Sequence, residues 1–559
     1  MKRDNMNNFL KIIMTIGLLM ITSCSSPEPE ITEPGKTASK IITNANVWTG
    51  NEAQPWAEVV VMDGERIIAV GGAELNTEYS GAEMIDAGGK LVLPGFIDNH
   101  THFMDGAATL LSIKTFGSTS REDFVGRIRD YAQDIPAGEW ISGGSWDHEL
   151  WGGELPHKDW IDDITGDNPL FLLRTDMHMA IANSATLKLA GVTKDTPDVE
   201  GGLIVRDENG EPTGVLKDNA MNYVWKIFPE LTTEQADRTF DAGITEALEN
   251  GVTQVHSMGG FSSLDYFKKA KAEGRLKIRA YYLPHISYRH QLAELIEKEG
   301  KGDNWLRLGG VKELVDGSLG STTAWFYEPY ADEPDTNGFP LMQMDELKKS
   351  LEEAHAYGFQ LAIHGIGDQT NDEILKLFEE IGAAGHRPRI EHAQHLTPSA
   401  IQKFAELGAV PSVQPYHAID DGRWAEKRIG VERLSGTYPF KSLVDAGAMM
   451  TFGSDWSVGP LEPLSGIYAA VTRRTTDGAN PDGWVPEQKI SVEDAVKAYT
   501  YNNAWAGNQE DILGTIEPGK LADIVIISDN IFEIAPEEII NTKVMMTIVG
   551  GDVKYSISN

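Results

Sequence analysis

Eight short apolar runs, spaced along the chain and separated by amphipathic stretches, limit this sequence to a small set of folds. The first is Leu91-Val92-Leu93-Pro94-Gly95-Phe96-Ile97-Asp98, which leads into His100. The others fall at 252–255, 278–282, 308–311, 360–363, 388–390, 409–413 and 449–452. Segments with helical periodicity, such as 344–357 and 397–407, lie between them. Eight strands alternating with helices predict an α/β chain built around a (β/α)8 barrel. The stretch from about 118 to 230 is too long for a simple first crossover, and is expected as a lobe inserted over the barrel mouth.

Both ends of the chain read differently. Residues 57–61 run into the turn Met62-Asp63-Gly64-Glu65 and return through 66–70, the pattern of a hairpin. Residues 523–527 and 544–549, with the turn Gly550-Gly551-Asp552, repeat that language at the other end. A small β-sandwich formed by 40–94 together with 505–559 is expected, flanking a barrel at 95–504.

The first residues resemble a targeting signal. Lys2, Arg3 and Lys11 precede an apolar stretch at 12–21 that is short for a membrane span. It ends in Ile21-Thr22-Ser23-Cys24, which resembles a bacterial lipobox, and Cys24 is the only cysteine in the chain. Residues 1–24 are therefore expected to be a lipoprotein signal peptide with Cys24 as the lipidation site, and 25–39 a flexible tether. Ser25 follows where an inner-membrane retention signal would place Asp. The expected location is the outer membrane, facing the periplasm or the cell surface, with membrane contact only through the lipid. A lone cysteine also excludes disulfides within the mature chain and a thiol nucleophile in the folded part. The formal charge of −36 argues against nucleic acid, whose phosphates need a basic face.

Chemistry in such barrels gathers at the C-terminal ends of the strands. His100 and His102 close the first run; side chains two apart on a strand share a face, so both imidazoles enter one space. The fourth strand carries Lys312, the fifth ends at His364, the sixth at His392 and the eighth at Asp455. Four His and one Asp meeting at one mouth would make a poor core but a good site for zinc or a similar divalent ion. The aromatic-polar patch Trp146, Asp147, His148 and Trp151, with His178, Ser318, Trp325, His256 and His285, supplies candidates for contact with substrate. A serine hydrolase is disfavoured because no Gly-x-Ser-x-Gly elbow occurs, and a zincin because His-Glu-x-x-His is absent.

Several segments carry a family resemblance. They are Pro94-Gly95-Phe96-Ile97-Asp98-Asn99-His100-Thr101-His102, Asp176-Met177-His178 with Asn183-Ser184, Lys312 with Asp316-Gly317-Ser318-Leu319-Gly320, and Gly514-Thr515-Ile516-Glu517-Pro518-Gly519-Lys520-Leu521-Ala522-Asp523. Taken in order, the chain after the tether resembles the amidohydrolase superfamily. More narrowly it is similar to the YtcJ-like branch, amidohydrolase family 3, which includes N-substituted formamide deformylases. The resemblance implies one or two divalent metal ions per chain, zinc foremost. His100, His102 and Asp455 would bind the more buried ion, and His364 and His392 the second, with a carboxylated Lys312 bridging them. It implies hydrolysis of a C–N bond in an amide, N-formyl, N-acyl or cyclic amide compound by metal-activated water, with Asp455 moving the proton. Lactone, ester or carbamate hydrolysis at the same site, or a non-catalytic ligand-binding surface lipoprotein, are the alternatives. The expected partner is a small molecule, with a homodimer left open.

Overall fold

The computed structural model describes residues 36–229 and 231–557. The signal segment with Cys24 and most of the tether lie outside the described residues. Eight strands form the centre: β1 (Phe96–Thr101), β2 (Val252–Gly259), β3 (Arg279–Pro284), β4 (Leu306–Leu308 continued by Gly310–Leu314), β5 (Gln360–Gly365), β6 (Arg389–His392), β7 (Val410–Val413) and β8 (Thr451–Phe452). All neighbouring pairs are parallel, β1 to the first half of β4 in one sheet and its second half to β8 in another. The sheets join at both edges. At one seam the Gly309 N–H donates to the Tyr282 carbonyl at 2.9 Å, and His285 bridges to Lys312. Only glycine fits at 309, because a Cβ there would lie 1.9 Å from the Tyr281 ring. At the other seam Asp455 N–H donates to His100 O at 2.8 Å and His102 N–H to Trp456 O at 2.7 Å. The result is a closed parallel barrel.

The first apolar run divides at Pro94 and Gly95, where the expected sandwich and barrel meet. Leu91–Pro94 pairs with Ile524–Ile527 in a terminal sheet, whereas Phe96 onward belongs to the barrel. Gly95 is the joint; its N–H donates to Asp523 O at 2.9 Å, and a Cβ would collide with Thr253 at 2.4 Å. The same apolar string thus serves two cores, which local patterning cannot distinguish.

The two ends build two facing sheets, one of four strands and one of six, the latter mixing strands from both termini. Ile42, Val60, Met62, Val92, Ile524 and Ile548 fill the space between them. Arg279 of β3 anchors the barrel to this unit through a bidentate pair with Asp523, at 2.7 and 2.9 Å. The stretch after β1 forms a separate six-stranded sheet with an apolar cluster on each face. Its turn at Asp176–His178 and the end of its strand Pro212–Asp218 overhang the barrel mouth.

Candidate metal centre

The tips of the barrel strands place four nitrogen and oxygen donors in one buried space. His100 Nε2 lies 3.3 Å from Asp455 Oδ1, and His102 Nε2 lies 3.5 Å from the same oxygen. Bonds of about 2.0–2.1 Å at a tetrahedral angle would put donors roughly 3.3 Å apart. These three side chains therefore already stand at the spacing that one ion requires. His392 is next, its ring 5.0 Å from that of His100 and 4.5 Å from that of His364. Both His392 and Asp455 adopt left-handed backbone, with φ of 75° and 56°. Such conformations cost about 1–3 kcal/mol each outside glycine and persist where the surroundings impose them. Here they turn each side chain off its strand end and into the mouth.

The support beneath the site is charged and fully buried. Glu391 Oε2 lies 2.7 Å from His100 Nδ1, and its other oxygen pairs with Arg389 Nε at 2.7 Å. The Ser412 hydroxyl donates to Glu391 at 2.5 Å. A carboxylate on Nδ1 fixes the tautomer and aims Nε2 at the site, the usual arrangement behind a metal-bound histidine. Gln414 does the same for His392, its Oε1 lying 2.7 Å from His392 Nδ1. Asp98 accepts from the backbone N–H groups of His100 and Ser454, tying β1 to the tip of β8. Burial lifts its carboxyl to about 6.

Burial governs protonation throughout. It drives His100 and His392 well below the ordinary imidazole range and His102 down to about 3, so these rings stand neutral with a lone pair to offer. It raises the Asp455 carboxyl, against the pull of Lys312. It lowers the Lys312 ammonium, with Glu391 and Asp455 opposing. Lys312 Nζ sits 3.2 Å from His100 Nε2 and 3.3 Å from Met258 Sδ, poor company for a cation. Glu313, the next residue, faces away and meets His285 Nε2 at 3.0 Å.

Two cavities open onto these groups. One of about 250 Å³ is lined by His102, Lys312, His392 and Asp455 from the barrel, and by His178 and Trp225 from the inserted lobe. A tighter one of about 50 Å³ lies between His364, His417 and Asp455 below, and Arg174, Asp176 and Ser318 at its sides. His178 lines both, its Nδ1 2.6 Å from Asp218 Oδ1. Burial opposes a proton on this ring, but the hydrogen bond and charge of Asp218 carry it above its ordinary value. Ser318 donates to Asp176 at 2.5 Å, and Arg174 pairs with Asp176 at 2.8 Å.

Of the candidates read from sequence, His100, His102, Lys312, His364, His392 and Asp455 meet at the mouth, with His178 and Ser318 beside them. Five others stand elsewhere. Trp146 is fully buried in the lobe's own core, its Nε1 donating to Leu172 O. Asp147 is consumed by Arg174 and Arg423, at 2.8 and 3.2 Å. His256 does not end its strand, because β2 runs on to Gly259; its ring turns inward against Tyr281 and lies 2.9 Å from Arg389. His285 lies outside the barrel mouth, held between Ser287 and Glu313. Trp325 lines neither cavity; its backbone N–H donates to Asp316 and fixes the loop after β4. The neighbouring His148 is locked against Arg174, and Trp151 packs on Phe124.

Three residues at the site were missed. Glu391 was legible as the inward neighbour of His392 on β6. Gln414 and His417 follow the tip of β7, a tip to which no polar residue had been assigned. His392, His417 and Asp455 form a second set of donors lying within 4.8 Å of one another, beside the set of His100, His102 and Asp455.

Residues 83–555 match the amidohydrolase family. The protein LONG AFTER FAR-RED 3 of Arabidopsis thaliana is 36% identical over 540 residues, covering 93% of this chain and 92% of its own. N-substituted formamide deformylase of Arthrobacter pascens is 28% identical over 542 residues, covering 92% and 98%. Among solved structures, an uncharacterized metal-dependent hydrolase from Pyrococcus horikoshii superposes with a TM-score of 0.73 at 29% identity, covering 89% of this chain and 99% of that one.

Proposed function

From the premise that the chain belongs to the amidohydrolase family, we propose that it is a metal-dependent hydrolase that cleaves the C–N bond of a small N-formyl, N-acyl or cyclic amide. The observation that carries this reading is the meeting of His100 Nε2, His102 Nε2 and Asp455 Oδ1 at 3.3–3.5 Å beneath a cavity of about 250 Å³. Neutral imidazoles and one carboxylate fit a zinc-like ion, and three protein donors leave room for water. Bound there, the ion would supply Lewis acidity, lowering the pKa of water and polarising a carbonyl.

The residues around it have distinct tasks. Asp455 is the proton carrier: burial strengthens its hold on a proton, so it can take one from the attacking water and pass it to the departing amine. His178, whose proton Asp218 favours, overhangs the same cavity and can donate to the oxygen on which negative charge develops. Lys312, whose burial favours the uncharged amine, is suited to carboxylation by CO₂, which would convert it from a repelled cation into an anionic ligand. His364 would add a nitrogen toward a second ion. Its Nε2 lies 3.2 Å from Gly317 O and 3.4 Å from Asp316, which leaves Nδ1 for that purpose. The larger cavity suits a compact acyl group, and the exposed faces of Trp225 beside it and of Phe116 beside the smaller one suit an apolar remainder.

The test pairs elemental analysis of protein purified without chelators with a hydrolysis screen of formamides, N-acyl amines, cyclic amides and lactones. Bound divalent metal with turnover of a C–N substrate is expected. Metal-free protein that still hydrolyses amides would refute the reading. The lipobox at Ile21-Thr22-Ser23-Cys24 supports anchoring of an exported chain in the outer membrane. Radiolabelled palmitate should enter the wild type and not Cys24→Ser.

A further inference from the structure

We propose that His417, on the helix Pro415–Asp421 that follows β7, is a metal ligand, completing with His392 and Asp455 an outer cation site that shares Asp455 with the inner one. The inference rests on the metal-dependent reading above and goes beyond the strand-tip residues that the resemblance supplied.

Four observations carry it. One nitrogen of each imidazole and one oxygen of Asp455 all lie within 4.8 Å of one another, so small side-chain rotations suffice to bring them onto one ion. His417 Nε2 is shielded from solvent yet has no hydrogen-bond partner among the described residues, an arrangement that costs free energy unless something else is bound there. The rings of His392 and His417 are nearly parallel, 13° apart with centroids at 6.2 Å, and both line a cavity with Asp455. Finally, one short segment sets both histidines. Gln414 immediately precedes the helix and its side chain occupies His392 Nδ1, which leaves His392 Nε2 for the site, and three residues later the helix presents His417. His364 keeps only Nδ1 for an ion, since its Nε2 is engaged by Gly317 O and lies near Asp316, and among the described residues it is His417, not His364, that joins His392 and Asp455 with all donors within 4.8 Å. Two neutral imidazoles and a carboxylate select a zinc- or cobalt-like ion over calcium or magnesium.

The experiment is a titration of metal-depleted full-length protein with Co²⁺, read by visible absorption and by elemental analysis after gel filtration. Wild type is expected to take up about two equivalents per chain, and His417→Gln about one, with the second equivalent weakened at least about tenfold. Melting curves report whether the variant is folded, and His417→Asn replaces it if it is not. Two equivalents bound unchanged by the variant would overturn the proposal, even if turnover fell, since that outcome makes His417 a contact to substrate. A single equivalent in the wild type would overturn it too, while leaving the inner site and the hydrolase reading intact. No Co²⁺ bound by either protein would refute both.

Discussion

Two buried charged clusters, at opposite ends of the barrel, are built on opposite terms. At the bottom, Arg279 donates twice to Asp523 and once to Asn304 O at 3.0 Å, and Gly550 N–H caps the remaining lone pair at 2.9 Å. The guanidinium also stacks on Trp305 at 4.6 Å. Both ions there find their partners within the protein. At the mouth the reverse holds: His417 Nε2 has no partner among the described residues, Lys312 has an imidazole and a thioether for neighbours, and His392 and Asp455 carry strained backbone. The first cluster fastens two units together. The second leaves donors converging and unspent, as a ligand site must.

Substitutions that strip the mouth should therefore abolish chemistry while sparing the fold. His100→Ala with His102→Ala is expected to lose the inner ion and all measurable turnover, with a cooperative melt retained; metal content and kcat/KM on the substrate found by screening check this. Asp455→Asn keeps the shape of the site but removes the proton carrier, and is expected to lower kcat by about 10²–10⁴-fold. Asp523→Ala inverts the pattern. It leaves Arg279 buried without its partner, at a cost of about 3–5 kcal/mol in denaturant unfolding, with metal content unchanged. Glu391→Gln should be intermediate, weakening metal affinity about 10–100-fold by loosening His100.

The last prediction concerns pH. Burial pushes the Asp421 carboxyl up to about 7, while the Tyr438 hydroxyl, donating at 2.5 Å, holds it back. A carboxyl with a raised folded value stabilises the protein fully below its unfolded pKa of about 3.9, and that contribution is lost as pH rises through about 7. Asp421→Asn should therefore gain stability relative to wild type between pH 4 and 7, with the difference in melting temperature levelling off above. A difference that shrinks with rising pH would contradict the assignment.

The barrel was legible because eight apolar runs alternate with helical periods, and the inner ligands because His100 and His102 share a strand face. What escaped has physical causes. The apolar pattern of 91–98 hides its division because both halves are buried; the close packing against Gly95 shows the two sheets meeting there, at the boundary expected between sandwich and barrel. His256 was misplaced because a strand's last residue cannot be fixed from apolar content when its tip is polar. The patch around Trp146 and Asp147 looked like a binding surface, yet the lobe needs a core and an internal ion pair of its own. His417 escaped because it stands on a helix after β7, beyond the strand tips where ligands were sought.

An anomalous difference map from crystals grown with zinc tests the central claim most directly. The account predicts a strong peak within bonding distance of His100 Nε2, His102 Nε2 and Asp455 Oδ1. Density showing those three groups bonded only to one another and to water, with zinc elsewhere or absent, would contradict it.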